Sequence, residues 1–118
     1  MTLATGPTGT QISSTTIITT QTGYVWAMAD VQLKNLDNTT DYDTTLYLMV
    51  DGYKSDGPTV TVPRKTLNGT NVNVTLSSRT TNMLGPGSWP IQTYAYTNAS
   101  TTSVIAIHRD VFAMGHLS

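Results

Sequence analysis

Leu84-Gly85-Pro86-Gly87-Ser88-Trp89-Pro90-Ile91-Gln92-Thr93-Tyr94-Ala95-Tyr96-Thr97 joins a turn signal to a strand pattern. Gly and Pro in close succession punctuate a chain. Behind them Trp89, Ile91, Thr93 and Ala95 fall on one face of a two-residue period, and Tyr94 and Tyr96 fall on the other. The stretch predicts a corner that feeds a central strand, anchored by Trp89. A bulge that slipped the parity would bury the tyrosines and expose Thr93.

The rest of the chain carries the same period. Thr15 to Gln21 is β-prone and is followed by Thr22-Gly23, then by a longer run from Tyr24 to Asn35. In that run Val25, Ala27, Ala29, Val31 and Leu33 make one apolar face, while Tyr24, Trp26 and Met28 lie opposite with Asp30, Gln32 and Lys34. A third strand is expected from Thr44 to Asp51, with Leu46, Leu48 and Val50 on one face and Tyr47 and Met49 on the other. Asp51-Gly52 and Asp56-Gly57 bracket a short reversal. Pro58 to Val62 reads as an edge strand that ends at Pro63. Asn68-Gly69 marks another turn before a strand through Val72, Val74 and Leu76. The sixth strand is Trp89 to Thr97, and a seventh starts at Ser103 and reaches Arg109 or beyond.

Composition sets the limits. One domain is expected from 118 residues, and the absence of Cys excludes disulfides and thiolate metal sites. The net charge is -1 with 11% charged residues, which leaves no basic field for nucleic acid or an anionic membrane. Every acid is Asp, and Thr supplies about a fifth of the chain, far above ordinary usage. The first residues show no basic start or apolar run, and no later stretch has the length of a membrane span, so synthesis in a cytoplasm is expected. The sequons at Asn38, Asn68, Asn73 and Asn98 then read as chance products of an Asn- and Thr-rich chain. Residues 1–14 read as a flexible arm, 15–110 as the sandwich, and 111–118 as an apolar tail or strand extension.

Seven short strands with turn signals between them and no helical period specify an antiparallel sandwich. Val60-Thr61-Val62-Pro63, then Asn71 to Leu76, then Leu84-Gly85-Pro86-Gly87-Ser88-Trp89 and its strand, resemble the C-terminal half of immunoglobulin-like modules of the cell-adhesion-related and phage structural type. In those modules a "leucine, any, Pro-Gly, any, Tyr" corner introduces the sixth strand. Trp89 stands where the family has Tyr, and an indole donates only through its ring nitrogen, so packing is expected to hold the corner. The resemblance implies a seven-stranded antiparallel immunoglobulin-like β-sandwich. It covers about half the chain and implies no activity.

Chemistry finds few candidates. His108 and His116 share a face with Asp110 if the strand continues, but eight residues of strand separate the two histidines by about 26 Å. The loop Asp37 to Asp43 offers oxygen ligands for Ca²⁺, yet lacks the Gly and the bidentate Glu of an EF-hand loop, and turn-forming polar residues account for it. Hydroxyls abound with no base and orienter to activate them. Gly85-Pro86-Gly87 precedes a strand, not a helix, and so cradles no phosphate. No catalytic, cofactor-binding or metal-binding residue is assigned, and the chain is not expected to be an enzyme.

Apolar residues outside the core remain. Tyr47 and Met49 face outward beside Tyr94 and Tyr96 if their strands are neighbours, as the immunoglobulin-like arrangement makes them. The tail carries Phe112, Met114 and Leu117 where termini are usually polar. Either the last strand runs longer inside its own sandwich, or the tail docks on a neighbouring subunit. These residues are the expected interface of a non-catalytic module that assembles with itself, a trimer included, or on a larger lattice such as a capsid. A charge-poor, Thr- and Asn-rich, cysteine-free β-module resembles phage or viral virion components, either head decoration and cement proteins or tail proteins. The alternative is a module that recognises carbohydrate or a host surface through its aromatics and the Asp37 to Asp43 loop.

Overall fold

Alternation of β-branched and polar residues drives the chain into strands, and the buried positions follow that alternation closely. The computed structural model describes residues 3–5, 9–50, 53–65, 71–80, 82–98 and 104–116. They form β1 (Ala4–Thr5), β2 (Thr10–Thr19), β3 (Tyr24–Asn35), β4 (Tyr42–Val50), β5 (Tyr53–Val62), β6 (Val72–Arg79), β7 (Gly87–Thr97) and β8 (Val104–His116). On β3 the side chains of Val25, Ala27, Ala29, Val31 and Leu33 are buried, and on β7 those of Ile91, Thr93, Ala95 and Thr97. No bulge slips the parity of the sixth expected strand.

Two sheets face each other across this core. One runs β1-β7-β4-β5, with β2 also on β7, and the other runs β6-β3-β8. All pairings are antiparallel except the two-residue β1 on β7. Leu46, Leu48, Val62, Ile91 and Ala95 from the first sheet meet Val25, Leu33, Val74, Leu76 and Val104 from the second in one apolar cluster. The long strands make an elongated body, 51 × 23 × 18 Å.

Each of the seven expected strands has a counterpart in β2 to β8, and β1 adds an eighth. The sheet assignment departs from the constant-type immunoglobulin order, in which the first strand lies beside the second and the seventh beside the sixth. Here β2 pairs with β7 and β8 pairs with β3, so the terminal strands have exchanged sheets. The physical reason is edge availability. β8 runs along β3 from Val104↔Asn35 to His116↔Tyr24, and β6 holds the other edge, so neither edge of β3 is open to β2, which pairs with β7 instead.

Boundaries differ as well. β2 starts at Thr10, and Leu3 is buried with its N–H donating to the Val104 carbonyl at 3.1 Å, so these parts of residues 1–14 belong to the fold rather than to an arm. Residues 111–116 continue β8, so the last strand runs longer inside its own sandwich. Asp56-Gly57, expected in a reversal, lies within β5 at a bulge. Thr45 pairs with Thr59 and Tyr47 with Asp56, so Gly57 and Pro58 together oppose Leu46. Asp51-Gly52 and Asn68-Gly69 fall outside the described residues.

The corner before β7 is held by more than packing. Trp89 Nε1 donates to the Gly85 carbonyl at 3.1 Å and to Thr19 Oγ1 at 3.2 Å, while that hydroxyl donates to the same carbonyl at 3.2 Å. The indole thus ties its own backbone four residues upstream, as a tyrosine hydroxyl does in the family corner. A conflict sits further along the same strand. Thr93, and Thr44 on the neighbouring β4, place hydroxyls in the core with no hydrogen-bond partner among the described residues. An unmet buried hydroxyl costs about 1–3 kcal/mol. Thr93→Val, which keeps the shape and removes the hydroxyl, is therefore expected to raise stability by about 1 kcal/mol in urea unfolding. A loss of stability instead would show that the hydroxyl is solvated or bonded.

Candidate interaction surface

The outer face of the three-stranded sheet is built by register. β3 points Tyr24, Trp26, Met28, Asp30 and Gln32 away from the core, opposite the face that Val25 to Leu33 bury. β8 sets Met114 against Trp26, Phe112 against Met28, Asp110 against Asp30 and His108 against Gln32. From the other side β6 sets Arg79, Ser77, Thr75 and Asn73 against the same four positions of β3. Each row therefore crosses three strands.

On β3 and β8 two of these rows are apolar and open to solvent. Trp26 is 41% exposed, Met28 47%, Phe112 56% and Met114 66%. They line one shallow apolar depression with Ala27, Ala113 and Ser77. Their exposed apolar area is on the order of 400 Å², taking about 200 Å² for each large side chain. A patch of that size lies within the range of the largest patch on an ordinary monomer, and such largest patches are often functional. The inner face of β3 is already buried by the opposite sheet, so these four side chains are surplus to the core.

Charge borders the patch at both ends. The Arg79 guanidinium lies 4.2 Å from the Tyr24 ring centroid and 6.0 Å from that of Trp26, a cation over aromatic faces. At the other end Asp30 and Asp110 are directly opposed across β3 and β8, an arrangement that is unfavourable in the isolated chain. The Thr75 hydroxyl donates to Asp30 Oδ1 at 2.7 Å.

The tyrosine face on the other sheet is gathered as expected but is less open than expected. Tyr47 pairs with Tyr94 and Met49 with Gln92. The rings of Tyr47 and Tyr94 stack at 5.2 Å with 4° between planes, Tyr96 tilts against Tyr47 at 6.3 Å, and Lys54 Nζ lies 4.5 Å from the Tyr47 ring centroid. Gly9 crosses directly above, close enough that a Cβ there would lie 2.7 Å from the Tyr47 hydroxyl oxygen and 3.0 Å from Tyr94 Cβ. Tyr47 therefore faces outward by parity yet is only 8% exposed, and Met49, Tyr94 and Tyr96 are half-buried. The sequence could not show this cover, because it comes from a segment far away along the chain. Leu117 lies outside the described residues.

The Asp37 to Asp43 loop spends its carboxylates separately. Asp37 accepts from the Tyr42 hydroxyl at 2.7 Å, and from the Thr39 backbone N–H and hydroxyl at 2.8 Å each. Asp41 takes the backbone N–H and the guanidinium of Arg64, and Asp43 takes the Thr61 hydroxyl. Each acid braces a different turn or strand. Among the described residues no three His, Cys, Asp or Glu side chains are grouped to hold a metal.

The Tyr42 hydroxyl, followed by the Thr39 backbone N–H and hydroxyl, lowers the Asp37 pKa from 3.8 to about 2. A depressed acid stabilises the fold above its unfolded pKa and loses that contribution as pH falls through the folded value. Wild type should thus exceed Asp37→Asn in stability at neutral pH, with the gap closing between about pH 4 and about pH 2. Urea unfolding of both proteins across that range checks it, and a gap independent of pH would refute it.

Trp26 and Met28 were legible as outward-facing, and Phe112 and Met114 as apolar residues in need of cover. What the sequence left out was that the two pairs are neighbours, some 85 residues apart in the chain. The only available signal was the coincidence of two apolar faces with the same two-residue spacing. No protein-family model, no curated protein and no solved structure matches this chain.

Proposed function

We propose that this chain is a non-catalytic structural module that works by protein–protein contact through the outer face of its three-stranded sheet. The carrying observation is the contiguous exposed surface of Trp26, Met28, Phe112 and Met114, which the core does not need. Aromatic residues and Met are the types enriched at the centres of interfaces, and charged groups at the rim complete the usual anatomy. The composition and the β-sandwich fit a virion component, a head decoration, cement or tail protein of a phage or virus that assembles with its own copies on a larger lattice. We read the β3–β6 and β4–β7 pairs as the centre of an immunoglobulin-like Greek key whose terminal strands have changed places. The tyrosine face is secondary, since Tyr47 is already covered.

Solution mass tests the reading. Light scattering over a concentration series is expected to show species above the 12.7 kDa monomer, and Met28→Asp/Phe112→Asp is expected to return the chain to 12.7 kDa with its fold intact. Truncating residues 111–118 would be a poorer test, because it would also strip part of the ladder from β3. A chain that stays monomeric in both forms would reject assembly through this face. Binding on a glycan array by that monomer would then favour sugar recognition.

A further inference from the structure

Resting on that reading, we infer that the partner of this face is a second copy of the chain, packed about a two-fold axis that lies in the interface, perpendicular to the strands, and passes between the rows of Trp26 and Met28. A rotation that turns one face onto another must have its axis in the plane between them, and a two-fold makes the same patch serve both copies. With the axis across the strands, β3 lies over β3 and β8 over β8, running oppositely. Trp26 then meets Met28 of the second copy, and Met114 meets its Phe112. The row of Tyr24 meets the row of Asp30. The Arg79 guanidinium, held 4.2 Å above Tyr24, faces the opposed carboxylates Asp30 and Asp110 of the second copy, and the same contact repeats on the other side.

Charge selects this orientation over the other simple one. An axis along the strands would lay each row on itself, placing four carboxylates together at one end and two guanidinium groups at the other. Like charges brought together and desolvated oppose association. The crossed axis instead sets each guanidinium against the two carboxylates of the other copy. It also gives a role to the Asp30–Asp110 juxtaposition, which is unfavourable in the free chain and is relieved in the pair by one guanidinium facing the two carboxylates. The contact spans seven residues of three strands, about 23 Å by about 14 Å at ordinary strand dimensions. That footprint is below the roughly 800 Å² per partner of tight complexes, so a reversible pair with a micromolar Kd is expected.

The test is a charge exchange read by sedimentation equilibrium at low salt. Arg79→Glu alone puts Glu against Asp30 and Asp110, and Asp30→Arg/Asp110→Arg alone puts Arg against Arg79. Each variant by itself is expected to weaken self-association at least tenfold. Mixed in equal amounts they are expected to form a heterodimer near wild-type affinity, because both cross-contacts are then of opposite sign. Thermal melts confirm that each variant is folded, and restored binding on mixing is a signature that misfolding cannot produce. Loss of affinity without rescue on mixing would overturn the arrangement. If Phe112→Asp abolishes self-association while the charge variants leave it unchanged, this orientation is wrong and the assembly face stands. If Phe112→Asp has no effect, or wild type never associates, both fall together.

Discussion

Asn35→Asp is expected to destabilise the protein by about 4 kcal/mol or more at neutral pH, enough to unfold much of a marginally stable domain. Asn35 ends β3 and is buried. Its Nδ2 donates to the carbonyls of Thr40 at 2.8 Å and Val62 at 3.2 Å, while its Oδ1 accepts from the Asp37 N–H at 2.8 Å. One amide thus ties the β3–β4 loop to the end of β5. Aspartate has the same shape, but turns the donor into an anionic oxygen aimed at two carbonyl oxygens. Desolvation and those dipoles both raise the carboxyl pKa in the fold. A raised acid carries no penalty below its unfolded pKa of about 4, and a penalty that grows as pH rises from there to the folded value. Asn35→Ala leaves the same groups unpaired without a charge, and should lose about 2–3 kcal/mol. Urea unfolding of both variants at several pH values separates the two effects. Equal losses at neutral pH with no divergence between them would disprove this account of the site.

Gly57→Ala is expected to cost about 3 kcal/mol, while Gly85→Ala, the same chemical change, should alter stability by less than about 0.5 kcal/mol. A Cβ on Gly57 would overlap the Leu46 carbonyl oxygen and approach Leu76 Cδ1 to 3.1 Å. The obstacle is backbone, so no rotamer change relieves it. Gly57 sits in the bulge where two residues of β5 oppose one of β4, and the strand can draw that close only without a side chain. A Cβ on Gly85 meets nothing within 4 Å. Melting temperatures of the two variants give the contrast directly. A tolerated Gly57→Ala would mean that β5 can step away from β4 at the bulge.

Much of this was legible locally. The alternation in Val25 to Leu33 and in Trp89 to Thr97 specified which side chains are buried, since successive residues of any strand face opposite ways. The Gly-Pro-Gly corner and its Trp anchor were visible for the same reason. The bond from the indole to Gly85 was not, because it depends on where Thr19 and the turn lie in space. Asp56-Gly57 misled for a related reason. The pair suits a tight turn and a bulge equally, and only the pairing of β4 with β5 distinguishes them.

The sequence by itself determined the β class, the inward face of each strand, the absence of thiol chemistry and the surplus of apolar residues at the C-terminal end. Only the tertiary structure decided that β2 and β8 exchange sheets, that Gly9 closes over Tyr47, and that Trp26 and Met28 share a surface with Phe112 and Met114. The reason is that strand pairing uses backbone N–H and C=O groups, which every residue but proline carries alike. Side-chain parity is written residue by residue, whereas the choice of neighbour is made by the whole set of strands competing for a limited number of edges.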